Sequence, residues 1–238
     1  MAKNPKESNK ITLYHGSSAI IEKPQFGKGN PKNDYGLGFY CTMNLELAKE
    51  WACHDKNGGF TNVYLLDISS FSIMDLTNTQ YSILNWLAIL INNRELGTLN
   101  PVAAEGKKFL TVNFLYSTEK FDIIKGYRAD DSYFSFARDF LNNTISLRQL
   151  NHAMSLGSLG EQIMLKSKKS YEALEYIRSE SVNGEIYYQK REKRDNDARE
   201  QYFKKERRSA HITDDIFMID ILRERMKQDD TRLQRNLS

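Results

Sequence analysis

Apolar positions along this chain follow two different spacings, which predicts a mixture of strands and helices. Short runs rich in β-branched and aromatic residues predict strands at residues 11–14, 38–42, 63–68, 121–124 and 163–165. Apolar residues three or four positions apart predict helices over about residues 44–52, 80–96, 130–141 and 170–177. The strands are short and do not alternate regularly with helices, so we expect an α+β fold rather than a doubly wound parallel sheet.

A shift in composition near residue 185 divides the chain. Residues 1–10 are polar and predict a loose N-terminus, and residues 11–184 predict one compact domain. Residues 185–238 predict a charged helical extension, in which Lys190–Arg208 carries nine basic and five acidic residues. Ile212–Met226 has an apolar stripe at Ile216, Ile219, Leu222 and Met226, which something must cover. The simplest cover is the compact domain.

Size and charge narrow the function classes only slightly. The chain has 238 residues, 40% of them hydrophobic, and a net charge of +3, which neither requires nor excludes a nucleic-acid partner. Its longest apolar stretch, Ile83–Ile91, is too short to cross a bilayer. The polar N-terminus does not resemble a signal peptide. Cys41 and Cys53 fit neither a disulfide nor a zinc pattern, so we expect a cytoplasmic protein without a metal site.

Five sequence positions combine aromatic and polar groups in a way that suits a flat, cationic ligand. His15 ends a predicted strand, Tyr40 lies on the next strand, and Trp51 follows eleven residues later on a helix. Aromatic faces hold cationic rings by stacking and cation–π attraction. A late strand begins with the polar pair Glu161 and Gln162. Taken singly, each residue also has a structural explanation, since a strand-end His or a helical Trp usually belongs to the fold.

Taken together, these motifs resemble the His-Tyr-Glu class of ADP-ribosyltransferases, which includes diphtheria toxin and the poly-ADP-ribose polymerases. The resemblance is closer to a bacterial family of predicted ADP-ribosyltransferases that is still largely named as a domain of unknown function. This closer resemblance rests on Tyr14–Ser17, Asn33–Thr42 and Ala48–Trp51, and it covers roughly residues 11–180. The resemblance implies a split core of two sheets with flanking helices, and NAD as the co-substrate.

The resemblance also assigns roles to individual residues. His15 would bond the nicotinamide ribose, the Gly16 backbone would hold the carboxamide, and Tyr40 and Trp51 would sandwich the nicotinamide. The NAD-binding set implied by the motifs is completed by two hydroxyl residues, Ser17 and Thr42. Polymerase-type members carry a serine three residues before the second aromatic, where this chain has Ala48.

The catalytic group on the late strand stays open between two neighbours. The resemblance implies Glu161 as the catalytic carboxylate, whereas the closer bacterial family favours Gln at the position of Gln162. Successive side chains of a strand point to opposite faces. Glu161 and Gln162 therefore cannot both face the ribose.

The function that follows is transfer of ADP-ribose from NAD to a macromolecular acceptor, protein or nucleic acid, with release of nicotinamide. By analogy with bacterial relatives, we expect an intracellular toxin or defence enzyme, with an antitoxin as a possible partner. The alternatives are a non-catalytic module that binds NAD, ADP-ribose or a partner protein, and an NAD glycohydrolase. Residues 185–238 then either dock on the catalytic domain or recruit the acceptor or antitoxin.

Overall fold

A computed structural model of the chain describes residues 9–129, 131–154, 156 and 160–235, and these form two β-sheets with flanking helices. The three-stranded sheet is antiparallel and has the order β1 (Lys10–Ser17), β3 (Gly59–Asp67) and β7 (Glu175–Val182). The β1–β3 register pairs His15 with Asn62, so the polar end of β1 lies over a buried asparagine. The α+β class predicted from the sequence is therefore confirmed.

The second sheet has four strands and supplies the other wall of the site described below. Its order is β2 (Phe39–Cys41), β6 (Glu161–Leu165), β5 (Ile123–Tyr127) and β4 (Ile73–Asp75). The β4–β5 pair is parallel, and the β2–β6 and β5–β6 pairs are antiparallel. One isolated bridge links the two sheets, in which Tyr14 and Thr42 exchange backbone hydrogen bonds of 2.8 and 2.9 Å.

The first helix rests directly on the three-stranded sheet. This helix, α1 (Leu45–Ala52), begins after Asn44, whose side chain accepts from the Leu47 amide. A Cβ atom on Gly16 would lie 2.0 Å from the Ala48 carbonyl oxygen, so only glycine permits this approach. The helix therefore holds Trp51 at a fixed distance from the end of β1.

Two apolar cores lie on opposite sides of the four-stranded sheet. The smaller core lies between the sheets and includes Leu13, Tyr64 and Ile163. The larger core holds Ile124 and Met164 against a layer of helices: α2 (Ile83–Asn93), α3 (Pro101–Asn113), α4 (Asp131–Leu141) and α5 (Leu147–Ala153). Alternation along β5 and β6 sends neighbouring residues into different cores, as expected for strands buried on both faces.

The C-terminal residues are helical, as predicted, and they complete the larger core. They form α7 (Gly184–Gln201), a π-helical segment (Tyr202–Arg207), α8 (Met218–Arg223) and α9 (Thr231–Arg235). The Tyr202 ring stacks on Phe136 at 4.0 Å between centroids. Seven of their apolar side chains are buried in this core: Ala198, Tyr202, Ile216, Met218, Ile221, Met226 and Leu233. The extension is therefore docked on the rest of the protein rather than separate from it.

Two predicted helices differ from the structure. Residues 168–172 form the short helix α6 (Lys168–Glu172), capped by Ser167, and Ile177 lies on strand β7 instead of a helix. Between Ile212 and Met226 only Met218–Arg223 is helical. The residues before this helix do not continue it, because the Asp215 carboxylate accepts from the Ile212 amide and pairs with Arg148.

Further differences concern burial and elements that the sequence analysis missed. The buried stripe includes Met218 and Ile221, whereas Ile219 and Leu222 are only partly buried. Strand β4 and helices α3 and α5 were not predicted, and Asp130, a predicted cap, lies outside the described residues. Within the described residues, no helix combines the length and hydropathy that a bilayer crossing requires.

Candidate functional site

A cleft of about 600 Å³ opens where β1 and β2 meet, and elements from both sheets line it. Its volume falls in the range of pockets that hold small molecules and cofactors, about 300–1,000 Å³. Five of the residues predicted for the site line the cleft: His15, Gly16, Tyr40, Trp51 and Gln162. These residues come from β1, β2, α1 and β6, so the fold brings together groups that are up to 147 positions apart in the sequence.

His15 is held as a neutral imidazole with a defined tautomer. Its Nδ1 lies 2.6 Å from the Tyr40 carbonyl oxygen, and because a carbonyl only accepts, Nδ1 must carry the hydrogen. The ring stacks on Phe39, with centroids 4.3 Å apart. Burial lowers the pKa of His15 below its ordinary value of 6.5, against the opposing effect of the Tyr40 hydrogen bond. The remaining nitrogen, Nε2, is then a hydrogen-bond acceptor on a residue that lines the cleft.

Tyr40 is fixed through its hydroxyl group. The hydroxyl donates to the Gly36 carbonyl oxygen at 2.7 Å and accepts from the Tyr35 amide at 3.0 Å. Gly36 has a φ of 84°, a conformation that favours glycine, and this turn places its carbonyl over the tyrosine. The Tyr40 ring is therefore oriented by its own lead-in loop before any ligand binds.

Trp51 lines the same cleft but is more enclosed than the expected sandwich requires. Its side chain is buried, and the guanidinium carbon of Arg128 lies 4.5 Å from its ring centroid. The indole Nε1 is buried and has no acceptor within the part of the chain that the structure describes. The Arg128 guanidinium therefore already covers one face of the Trp51 ring. A nicotinamide ring would have to stack on the other face or displace Arg128.

The structure separates the neighbours Glu161 and Gln162. Gln162 is buried and lines the cleft, and its Nε2 donates to Asp34 Oδ2 at 2.8 Å and to the Tyr127 carbonyl at 3.2 Å. Glu161 points to the opposite face and pairs with Lys125 at 2.8 Å. The interpretation of Glu161 as the carboxylate beside the ribose does not fit this placement, because the strand phase turns it away.

A buried carboxylate stands behind Gln162, and the sequence analysis did not identify it. Asp34 Oδ1 pairs with Arg94 at 2.9 Å, while Oδ2 accepts from the Ala129 amide and from Gln162, both at 2.8 Å. Arg94 also donates to the Ala129 carbonyl at 2.7 Å. The available signal was the Asn33-Asp34 pair inside a recognised motif, which resembled an ordinary loop.

Ser17 and Thr42, expected to bind NAD, bond the protein instead and do not line the cleft. Ser17 Oγ donates to the Ala19 carbonyl and accepts from Asn62 Nδ2 at 3.0 Å. Thr42 is buried, and its Oγ1 accepts from the Asn44 amide ahead of α1. Both hydroxyls therefore stabilise the backbone where a strand ends, Ser17 at the end of β1 and Thr42 directly after β2.

The rim of the cleft is basic. Arg128 and Arg191 both line it, and Arg191 comes from α7. Arg191 Nη1 lies 3.3 Å from the Cys53 carbonyl oxygen and 3.4 Å from His54 Nδ1. Burial, followed by the charges of Arg191 and Arg128, lowers the pKa of His54. The described residues contain no cluster of His, Cys, Asp and Glu that could hold a metal ion.

The fold and the cleft define an α+β protein whose candidate site lies between two sheets. A model of the family described as a protein of unknown function (DUF3990) matches residues 11–176, which is most of the chain. The chain therefore belongs to this family. No curated protein and no solved structure matches it. The family match ends before α7, so it does not include Arg191.

Proposed function

We propose that this chain binds NAD in the cleft and transfers ADP-ribose to a macromolecular acceptor, on a fold of the ADP-ribosyltransferase type. One observation carries the proposal: His15, Tyr40, Trp51 and Gln162, from four separate elements, line a single cleft. These are the positions at which the sequence resembles that class. Membership of a family of unknown function is compatible with this assignment.

The chemistry of the lining fits the nicotinamide end of NAD. The Tyr40 ring offers an oriented aromatic face to a flat cationic ring. His15 Nε2 can accept from a ribose hydroxyl, because Nδ1 is committed to the Tyr40 carbonyl. Gln162 Nε2 donates to Asp34, which leaves Oε1 as a second acceptor. The buried Trp51 Nε1 is a donor without a protein acceptor among the described residues, and a carboxamide oxygen would satisfy it.

The reaction breaks the bond between ribose C1′ and the nicotinamide nitrogen. Nicotinamide leaves with the electron pair of that bond and becomes neutral, while positive charge develops on the ribose. A nucleophilic atom of the acceptor forms the new bond to C1′ and releases its proton to solvent. Oxygen acceptors around the ribose stabilise the developing charge. Water in place of the acceptor would make the protein an NAD glycohydrolase.

One observation favours a second candidate, a module that binds NAD or ADP-ribose without cleaving it. The residue that β6 turns into the cleft is an amide, and the carboxylate behind it, Asp34, is paired with Arg94. An amide stabilises positive charge less strongly than an unpaired carboxylate does. In the catalytic case, family analogy extends the proposal to a bacterial intracellular toxin or defence enzyme restrained by an antitoxin.

The test measures NAD binding by calorimetry and nicotinamide release by chromatography, with labelled NAD and a cell lysate to reveal the acceptor. Tyr40→Ala should weaken NAD binding by about 1–2 kcal/mol, roughly 5–30-fold, through loss of the aromatic face. Tyr40→Phe, the matched control, keeps the ring. Binding without nicotinamide release would favour the non-catalytic module. No binding to the wild-type protein would refute the proposal.

A further inference from the structure

Helix α7 lies against α1 through one polar face. Tyr187, Lys190, Arg191 and Arg194 recur at spacings of three and four residues, so they share this face. Lys190 and the Tyr187 hydroxyl both bond Glu46 of α1. These contacts fix the position of Arg191, which lies between the two anchored turns.

A second and more buried ion pair tightens the same contact. Arg194 pairs with Glu50 of α1 at 2.7 Å, and both side chains are largely enclosed. Within this face Lys190 and Arg194 thus each have a carboxylate partner on α1, and the helix is held at both ends of the Arg191 turn. Arg191 is therefore presented to the rim of the cleft by a rigid support.

Arg191 differs from its neighbours because no carboxylate of the described chain pairs with it. Arg191 contacts the Cys53 carbonyl oxygen and the His54 ring, and it lines the cleft. Arg128 lines the same cleft over the face of Trp51. Two guanidinium groups and a histidine thus gather at the C-terminal end of α1.

Arg191 brings to the cleft a guanidinium group that no carboxylate of the described residues neutralises. Arg191 Nη1 lies 3.4 Å from His54 Nδ1, and both residues line the cleft together with Arg128. Arginine matches phosphate oxygens in two-pronged geometry. The cleft also contains the nicotinamide-binding positions Tyr40 and Trp51. An anion at this rim would therefore belong to the same ligand as the cationic ring.

We propose that Arg191 of α7, together with Arg128, binds the diphosphate of NAD. This inference rests on the proposed function and deepens it. It makes the C-terminal region part of the ligand site, although the family match ends at residue 176. The competing explanation is that Arg191 only caps the Cys53 carbonyl at the end of α1.

The experiment compares Arg191→Gln with Lys193→Gln, which removes an equal charge from an exposed position of the same helix. Four ligands are titrated by calorimetry: NAD, ADP-ribose, ADP and nicotinamide riboside, which lacks the diphosphate. Arg191→Gln should weaken the three diphosphate ligands by about ten-fold or more, as expected for a charge-assisted hydrogen bond. It should leave nicotinamide riboside unchanged. Lys193→Gln should change none, and added salt should weaken NAD binding more in the wild type than in Arg191→Gln.

Each outcome separates this inference from the proposed function. Unchanged diphosphate affinity in a folded Arg191→Gln protein overturns the inference while leaving NAD binding intact. Equal weakening of nicotinamide riboside also overturns it, since Arg191 then acts only through the shape of the cleft. If the wild type binds ADP but not NAD, and Arg191→Gln loses ADP, the diphosphate site stands and the proposed function fails. A wild type that binds none of the four ligands refutes both.

Discussion

At the scale of single residues, the hydrogen bonds of Gln162 give the cleft a defined acceptor. Its Nε2 faces two oxygen acceptors, Asp34 Oδ2 and the Tyr127 carbonyl, so the amide orientation follows from the network. Its Oε1 is then the group available to a ligand hydroxyl. Glu161, one position earlier, faces Lys125 outside the cleft. These neighbours form a natural pair of positions for comparison.

Gln162→Ala should therefore reduce nicotinamide release far more than Glu161→Gln does. The first change removes the acceptor and takes a donor from buried Asp34, whereas the second loses only a partly exposed ion pair. Such pairs contribute about 0–1 kcal/mol to stability. Turnover assays together with urea unfolding would separate catalytic from structural effects. The reverse order of activities would mean that Glu161 reaches the substrate.

The lowered pKa of His15 leads to a second prediction, which concerns the pH dependence of the protein's stability. Burial lowers its folded-state pKa, so below pH 6.5 the unfolded chain binds more protons at this residue than the folded chain. The contribution of His15 to the free energy of unfolding is fully present above pH 6.5. It is lost as the pH falls from there toward the folded-state pKa. The free energy of unfolding should thus decrease between pH 7.5 and 5.5, and less so in His15→Gln.

His54 also has a lowered pKa and needs its own control. The comparison is best made in a His54→Gln background, with urea unfolding at each pH. An identical pH dependence with and without His15 would show that the imidazole is already solvated in the folded state.

The sequence alone could identify several residues that line the cleft, but not the orientation of their side chains. Alternation along a strand showed that only one of Glu161 and Gln162 could face the ligand. The choice depends on pairing across the sheet, where Gly126 lies opposite Gln162 and Tyr127 lies opposite Glu161. That register is set by strands distant in sequence. The role of Asp34 was hidden for the same reason, since its partners Arg94 and Ala129 are 60 and 95 positions away.

At the scale of elements, the contact between α1 and α7 depends on the enclosed pair of Glu50 and Arg194. Removing one partner of a buried pair leaves an uncompensated charge, which costs more than removing both. Glu50→Gln should therefore destabilise the protein more than the double variant with Arg194→Gln does. A double-mutant cycle from chemical unfolding measures this coupling. Additive effects would show that the pair contributes nothing.

The sequence analysis predicted neither the contact between α7 and α1 nor strand β7, and weak hydrophobic patterning explains both. Helix α7 meets α1 through charged and polar side chains, so hydrophobic periodicity could not reveal its buried face. Strand β7 lies at the edge of its sheet with most of its residues exposed or only partly buried, and its pairing with β3 contains an irregularity at Val63 and Tyr64. In contrast, β1 and α1 were predicted well, because Leu13 and Asn44 give strong local signals.

At the scale of the whole molecule, one core extends across the predicted boundary at residue 184. Truncation after Asn183 would expose the surfaces that α7, the π-helical segment and α8 cover, including the side of α3 at Gly106, where Met218 packs. We expect the truncated protein to aggregate and to bind a hydrophobic dye. Within the full chain, Ile221→Ala should lower the free energy of unfolding by about 2–5 kcal/mol. A truncated chain that unfolds cooperatively and remains monomeric would contradict a larger core shared across residue 184.

The change in composition near residue 185 does not mark the end of the larger core, because composition describes surfaces better than interiors. Lys190–Arg208 is rich in charge, yet it places Ala198 and Tyr202 in the larger core. The change near residue 185 marks where exposed helical faces become highly charged. The end of the folded core lies beyond it, at least as far as Leu233.

The bridge between Tyr14 and Thr42 gives the cleft a convenient local reporter. These two amides join the sheet that carries His15 to the sheet that carries Tyr40 and Gln162. Hydrogen exchange at them requires the two sheets to part, so their protection from deuterium measures how often the cleft comes apart. A ligand that spans both sheets should slow exchange at these two positions, whereas one that binds a single wall should leave it unchanged.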